Sequence, residues 1–108
     1  MRLTATQVTK IIDYFLHQSS KDQIIEIRLF GSRLNDNARG GDVDLYLELN
    51  NMDSADCLAM KLKMRPELEE LLDLPVDLVV QSNLYPLKPI SETAKHLGNI
   101  LWAQSDID

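Results

Sequence analysis

Residues 31–44 read Gly-Ser-Arg-Leu-Asn-Asp-Asn-Ala-Arg-Gly-Gly-Asp-Val-Asp, and two features in them could do chemistry. Asp42 and Asp44 are separated by one residue. In an extended strand that spacing puts both on one face, ~7 Å apart along the backbone. Carboxylates this close repel and raise each other's pKa. A hard divalent cation removes that cost, because Mg²⁺ takes carboxylate oxygens and keeps positions for phosphate. The second feature is the Gly31-Ser32 turn, whose backbone N–H groups and hydroxyl suit a phosphate. Taken singly, an Asp-x-Asp also fits a solvated strand edge, and a Gly-Ser pair fits any turn.

The flanking segments must position these groups. Ile24–Phe30 has strand character, with Ile25, Ile27 and Leu29 on one face and Glu26, Arg28 and Phe30 on the other. Val43–Leu49 alternates cleanly: Val43, Leu45, Leu47 and Leu49 oppose Asp44, Tyr46 and Glu48. A third strand is expected at Val76–Gln81, with Asp77 on the face of Val79 and Gln81. Thr4 or Thr6 caps a first helix whose apolar face is Val8, Ile11, Ile12, Phe15 and Leu16. A second helical stretch starts at Asp53 or Ser54 and reaches about Leu72, burying Leu58, Leu62, Leu68, Leu71 and Leu72, with a kink or restart at Pro66. A last helix begins near Pro89, turns Ile90, Ala94 and Leu97 inward and stops at Gly98-Asn99. A short fourth strand covers Ile100–Ala103. Strands with one apolar and one polar face imply a mixed or antiparallel sheet with helices mainly on one side. The open side would carry Glu26, Arg28, Asp42, Asp44, Tyr46, Asp77 and Gln81.

The 108 residues are expected to form one domain, with 44% hydrophobic and 26% charged residues as in soluble globular proteins. No apolar run approaches the ~20 residues of a membrane span, and no signal peptide is read at the amino terminus. Cys57 is the only cysteine, which fits a cytoplasmic setting. The net charge of −6 disfavours sequence-independent binding to long nucleic acid, which needs a basic face.

The stretch from Gly31-Ser32 to Asp42-Val43-Asp44 resembles the signature of the nucleotidyltransferase superfamily that includes DNA polymerase beta. There a Gly-Ser pair precedes an Asp-x-Asp across a short loop, and a third carboxylate follows on a later strand, which Asp77 in Leu-Pro-Val-Asp-Leu-Val-Val supplies. Small size and the Gly-Ser-Arg start resemble the minimal nucleotidyltransferase (MNT) branch, over roughly Val8 to Trp102. One departure is Gly41-Asp42, where many members have Ser-Asp; it removes a hydroxyl but no carboxylate. The resemblance implies an α/β (α+β) fold with a mixed sheet of about four strands. It implies two Mg²⁺ ions, replaceable by Mn²⁺, with Asp42 and Asp44 on both and Asp77 on the one that activates the nucleophile. Gly31 and Ser32 would hold the β- and γ-phosphates of ATP, and Arg33 and Arg39 would neutralise the departing pyrophosphate. It further implies an antitoxin that adenylylates a tyrosine of a HEPN-domain ribonuclease partner. Two rival readings are an antitoxin acting by contact alone and an aminoglycoside-type transferase, which usually needs a second domain.

Other polar residues have plainer readings. Lys61 and Arg65 share a helix face with Lys63 nearby and read as a solvated surface. His17 and His96 stand in last helical turns, where a cation suits the dipole. Cys57 reads as a small core residue and Trp102 as packing.

Overall fold

The computed structural model describes residues 3–31 and 41–104. Helix α1 (Ala5–Gln18) starts from Thr4, whose hydroxyl accepts the Gln7 N–H at 3.1 Å while the Gln7 side chain accepts the Thr4 N–H at 2.8 Å. This reciprocal pair satisfies two donors that a helix start otherwise leaves open. Strands β1 (Ile24–Phe30) and β2 (Val43–Leu49) follow, then α2 (Ser54–Leu72), β3 (Val76–Ser82), α3 (Pro89–Leu97) and β4 (Asn99–Ala103). The sheet order is β3-β2-β1-β4, with β1 antiparallel to both neighbours and β2 parallel to β3. The parallel pair needs a long crossover, which α2 supplies.

The main core lies on one face of the sheet, under α1 and α2. It joins Ile11 and Phe15 of α1 and Cys57, Met64, Leu68 and Leu72 of α2 to the apolar alternates of β1, β2 and β3. On β2 these are the expected Val43, Leu45, Leu47 and Leu49. On β1 the pattern differs from strict alternation. A register shift between Ile24 and Glu26 puts Ile24, Ile27 and Leu29 in the core and leaves Ile25 only partly buried.

Helix α2 corrects the sequence reading in two ways. It runs unbroken through Pro66, which lies on the exposed side, where the missing N–H costs one helical bond but no core contact. Its buried stripe is Cys57, Met64, Leu68 and Leu72, whereas Leu58, Leu62 and Leu71 are exposed. The stripe follows a helical period through Cys57 and Met64 to the expected Leu68 and Leu72.

The second face of the sheet is partly covered, not open. Helix α3 lies on it through Ser91 and Ala94, both fully buried, while Ile90 and Leu97, expected inside, are exposed. Phe30, Tyr46 and Ala94 form a small second core there, with Val79 packed against it. The strand registers arrange this face in three rows: Phe30, Asp44 and Asp77; then Arg28, Tyr46 and Val79; then Glu26, Glu48 and Gln81. Glu26, Tyr46, Glu48 and Gln81 are buried, which corrects the expectation that they face solvent.

Their polar atoms are satisfied, as burial requires. Tyr46 donates to Glu48 at 2.6 Å, and Lys95 of α3 reaches the same carboxylate at 2.8 Å. Arg28 pairs with Glu26 and donates to the Gly98 carbonyl at 3.2 Å. Gln81 accepts from Ser91 at 2.6 Å and donates to the Ser82 carbonyl at 3.0 Å. Burial, then the hydrogen bond and charge of Glu48, push the Tyr46 phenol above its ordinary range, so it remains a donor. No helix among the described residues is long and apolar enough to cross a membrane.

Candidate active site

In the first of the three rows Phe30 packs against Ala94 of α3, and the two acids beside it are less covered. Asp42 and Asp77 are exposed and Asp44 is half-buried. Asp44 and Asp77 are register partners on the parallel strands β2 and β3, which lie ~4.8 Å apart. Asp42 precedes β2 by one residue, and its carboxyl lies close enough to that of Asp77 for the two to hold its pKa above the usual carboxylate range. The structure therefore places Asp44 beside Asp77 and Asp77 beside Asp42 at one end of the sheet, from two segments joined by α2.

Gly31 ends β1 beside Asp44, which pairs with Phe30. Its φ is +77°, and a Cβ there would lie 2.0 Å from Asp44 Oδ2 and 2.8 Å from Asp44 Cγ. The turn needs glycine twice, for its left-handed backbone and for its approach to the carboxylate. Gly31→Ala is expected to cost ~1–2 kcal/mol of stability through the backbone alone. The displaced Asp44 should weaken Mg²⁺–ATP binding at least about tenfold, a larger proportional loss. Calorimetry with and without Mg²⁺ checks this; unchanged affinity would make the turn a plain connector. Ser32, Arg33 and Arg39, the other residues assigned to the nucleotide, lie outside the described residues.

The acids respond to one another as crowded carboxylates must. Loss of hydration, the hydrogen bond with Asp77, and the charges of Asp77 and Glu69 push the Asp42 carboxyl above its usual range. The folded chain thus keeps this proton to higher pH than the unfolded chain. The resulting stability is fully present below the ordinary carboxylate pKa and is lost as pH rises through the folded value. In EDTA, the melting temperature of wild type should fall relative to Asp42→Asn as pH is raised from about 4 to about 7. Parallel melting curves for the two proteins over that range would contradict the assignment.

Among the described residues, no group of three or more His, Cys, Asp or Glu side chains is placed, as it stands, to hold a metal ion. The row nonetheless fits a hard cation better than a soft one, since its donors are carboxylate oxygens with no thiolate or imidazole. A fourth carboxylate, not singled out in the sequence, stands beside it. Glu69 of α2 accepts the Val76 N–H at 2.9 Å and pairs with Arg65 at 3.1 Å. One signal was available: Glu69 and Glu70 occupy the C-terminal end of a helix, where the dipole disfavours acids.

The residues given plainer readings lie away from this row. Lys61, Lys63 and Arg65 are exposed, and Lys63 donates to Gln18 at 3.0 Å. Lys61 lines a groove of about 280 Å³ with Cys57, Leu58, Tyr85 and Lys88, at the far end of β3 from Asp77. His17 is exposed and meets the Asp13 carbonyl at 2.7 Å. Cys57 is buried in the core, and Trp102 packs against its margin.

Residues 8–97 match the family model described as a nucleotidyltransferase domain. No curated protein matches the sequence. The fold is shared with solved structures, among them three toxin–antitoxin structures. A mutant MntA–HpeT toxin–antitoxin structure superposes with a TM-score of 0.65 at 18% identity, over 89% of this chain and 72% of the other. A tri-AMPylated Shewanella oneidensis HEPN toxin in complex with an MNT antitoxin gives 0.63 at 19% identity, over 91% and 71%. A toxin–antitoxin structure with AMP-PNP gives 0.65 at 20% identity, over 89% and 73%.

Proposed function

Because the chain belongs to the nucleotidyltransferase-domain family, we propose that it transfers AMP from ATP to a hydroxyl group of a partner protein, with Asp42, Asp44 and Asp77 as the catalytic carboxylates. The observation that carries this reading is the row itself: acids from β2 and β3 in register, with Gly31 pressed against Asp44. Asp42 and Asp44 would hold two divalent ions, Mg²⁺ or Mn²⁺, and Asp77 would share one of them. Such ions supply charge stabilisation at the attacking and leaving oxygens and lower the pKa of a bound hydroxyl.

The chain's own residues do the rest. Gly31 has no side chain to fend off phosphate oxygens, and Ser32 adds a donor. Arg33 and Arg39 offset the charge of departing pyrophosphate. With the second and third rows buried or half-buried, the acids are approached from the exposed side where Asp42 and Asp77 lie.

The acceptor we propose is a tyrosine of a HEPN-domain toxin, with this chain as its antitoxin. The support is that the structures sharing its fold include a HEPN toxin carrying AMP and a complex with an ATP analogue. A second reading, neutralisation by contact, is favoured by Leu58 and Leu62, which stand exposed on α2. Mixing the chain with ATP, Mg²⁺ and a HEPN protein tests the first reading: intact mass should show whole AMP units added to the partner. A partner neutralised with no added mass would favour contact.

A further inference from the structure

β3 is an edge strand, so the backbone groups on its outer side have no neighbouring strand. At its first residue a side chain takes that place. The peptide joining Pro75 to Val76 is trans, so its C=O and N–H point in opposite directions. The Pro75 carbonyl accepts the Val43 N–H at 2.8 Å, on the β2 side. The Val76 N–H donates to Glu69 at 2.9 Å, on the other. One peptide plane, immediately before Asp77, is thus held from both edges. Glu69 is fixed in turn by Arg65 one helical turn away, at 3.1 Å. Helix α2 ends at Leu72 and is capped by Asp73 in a left-handed conformation, φ 54°, so only Asp73, Leu74 and Pro75 connect the helix to the strand.

We infer that Glu69 is a positioning residue for the acidic row: by clamping the Pro75–Val76 peptide against β2 it sets where Asp77 stands relative to Asp42 and Asp44. The inference rests on the transferase reading for its consequence, but its geometry is independent of it. The acceptor oxygen is the working part. The charge plays a separate and smaller part, since it acts on Asp42 and not on the Val76 N–H, and the surface pair with Arg65 contributes little. Glu69 does not touch the substrate in this reading; it acts through Asp77.

The test reads metal binding, not turnover. Mn²⁺ is titrated in the presence of ATP, and free Mn²⁺ is followed by electron paramagnetic resonance. Glu69→Ala is expected to weaken the weaker Mn²⁺ site ~10–100-fold, the usual loss when an outer partner of a ligand is removed. Glu69→Gln keeps an acceptor oxygen for Val76 and is expected to lose far less affinity than Glu69→Ala, only the small part that the charge near Asp42 supplies. In an Asp77→Asn background, Glu69→Ala should add nothing, because a residue that works through another shows no separate effect once that other is gone. Melting curves confirm that each variant is folded at the titration temperature. Three results would overturn the inference: wild-type affinity in Glu69→Ala, equal losses in Ala and Gln, or additive losses with Asp77→Asn. Wild-type protein that binds neither Mn²⁺ nor ATP would instead overturn the transferase reading, and the role of Glu69 with it.

Discussion

Asp44→Asn is expected to lower AMP transfer at least about a thousandfold, ~4 kcal/mol of barrier, while the protein stays folded. Asparagine has nearly the same volume, so the half-buried position beside Gly31 is still filled. What is lost is the charge that would hold both cations. Asp42→Asn should do the same from the exposed side of the row. A binding readout separates this from indirect damage. A ligand bound only to the folded state stabilises it by mass action, about 2.7 kcal/mol at a hundredfold excess over Kd. Mg²⁺ and ATP together should raise the melting temperature of wild type, and the Asp42→Asn/Asp44→Asn double variant should show no joint effect. A full shift retained in that variant would falsify the carboxylate site.

Asp77→Asn should block transfer as thoroughly while leaving much of the ATP binding intact. Its carboxylate comes from β3 and would serve the ion that activates the acceptor, whereas Asp42 and Asp44 together would hold the nucleotide's ion. A tyrosine hydroxyl has a pKa of ~10 and is a poor nucleophile near neutral pH without such activation. Intact mass of the partner and calorimetry with ATP give the two halves of this expectation. The same variant separates enzyme from contact antitoxin. If it neutralises the partner as well as wild type, and no mass is added by either protein, contact alone is sufficient. An interface of at least ~1,000 Å² would then have to account for it. Equal loss of ATP binding and transfer would show that Asp77 serves the nucleotide, not the acceptor.

The strands were legible because β2 alternates without exception, and Asp44 was therefore placed on a face before any fold was considered. β1 was read one residue out of phase at its start, since a bulge at Ile25 leaves no mark in the residue types. α2 is legible to within a residue of its ends, and Leu68 and Leu72 are buried as expected, but the first half of the stripe runs through Cys57 and Met64 and not through Leu58 and Leu62. The burial of Tyr46, Glu48 and Gln81 was missed for a related reason. Ser91 and Ala94 are too small to announce an inward face, yet small side chains let α3 settle closely on the sheet. The adjacency of β2 and β3 follows from no local pattern; it came from family resemblance, and the register of Asp44 with Asp77 supplies it in space. The hydrogen bond from Val76 to Glu69 depends on a loop path that periodicity does not describe.

On β2 and β3 the acids alternate with core residues: Asp44 lies between Val43 and Leu45, and Asp77 between Val76 and Leu78. A slip of β3 by one residue against β2 would turn Asp77 toward the helices and Val76, Leu78 and Val80 outward. The misaligned chain would be unstable before it was inactive. Cellular proteases, which act on transiently open chains, would therefore remove molecules with a scrambled site without ever sensing the site itself. One residue inserted between Leu74 and Val76 should accordingly appear as low abundance, not as a soluble inactive protein. Surveillance of folding then serves as surveillance of catalytic competence, because both are written in the same alternation.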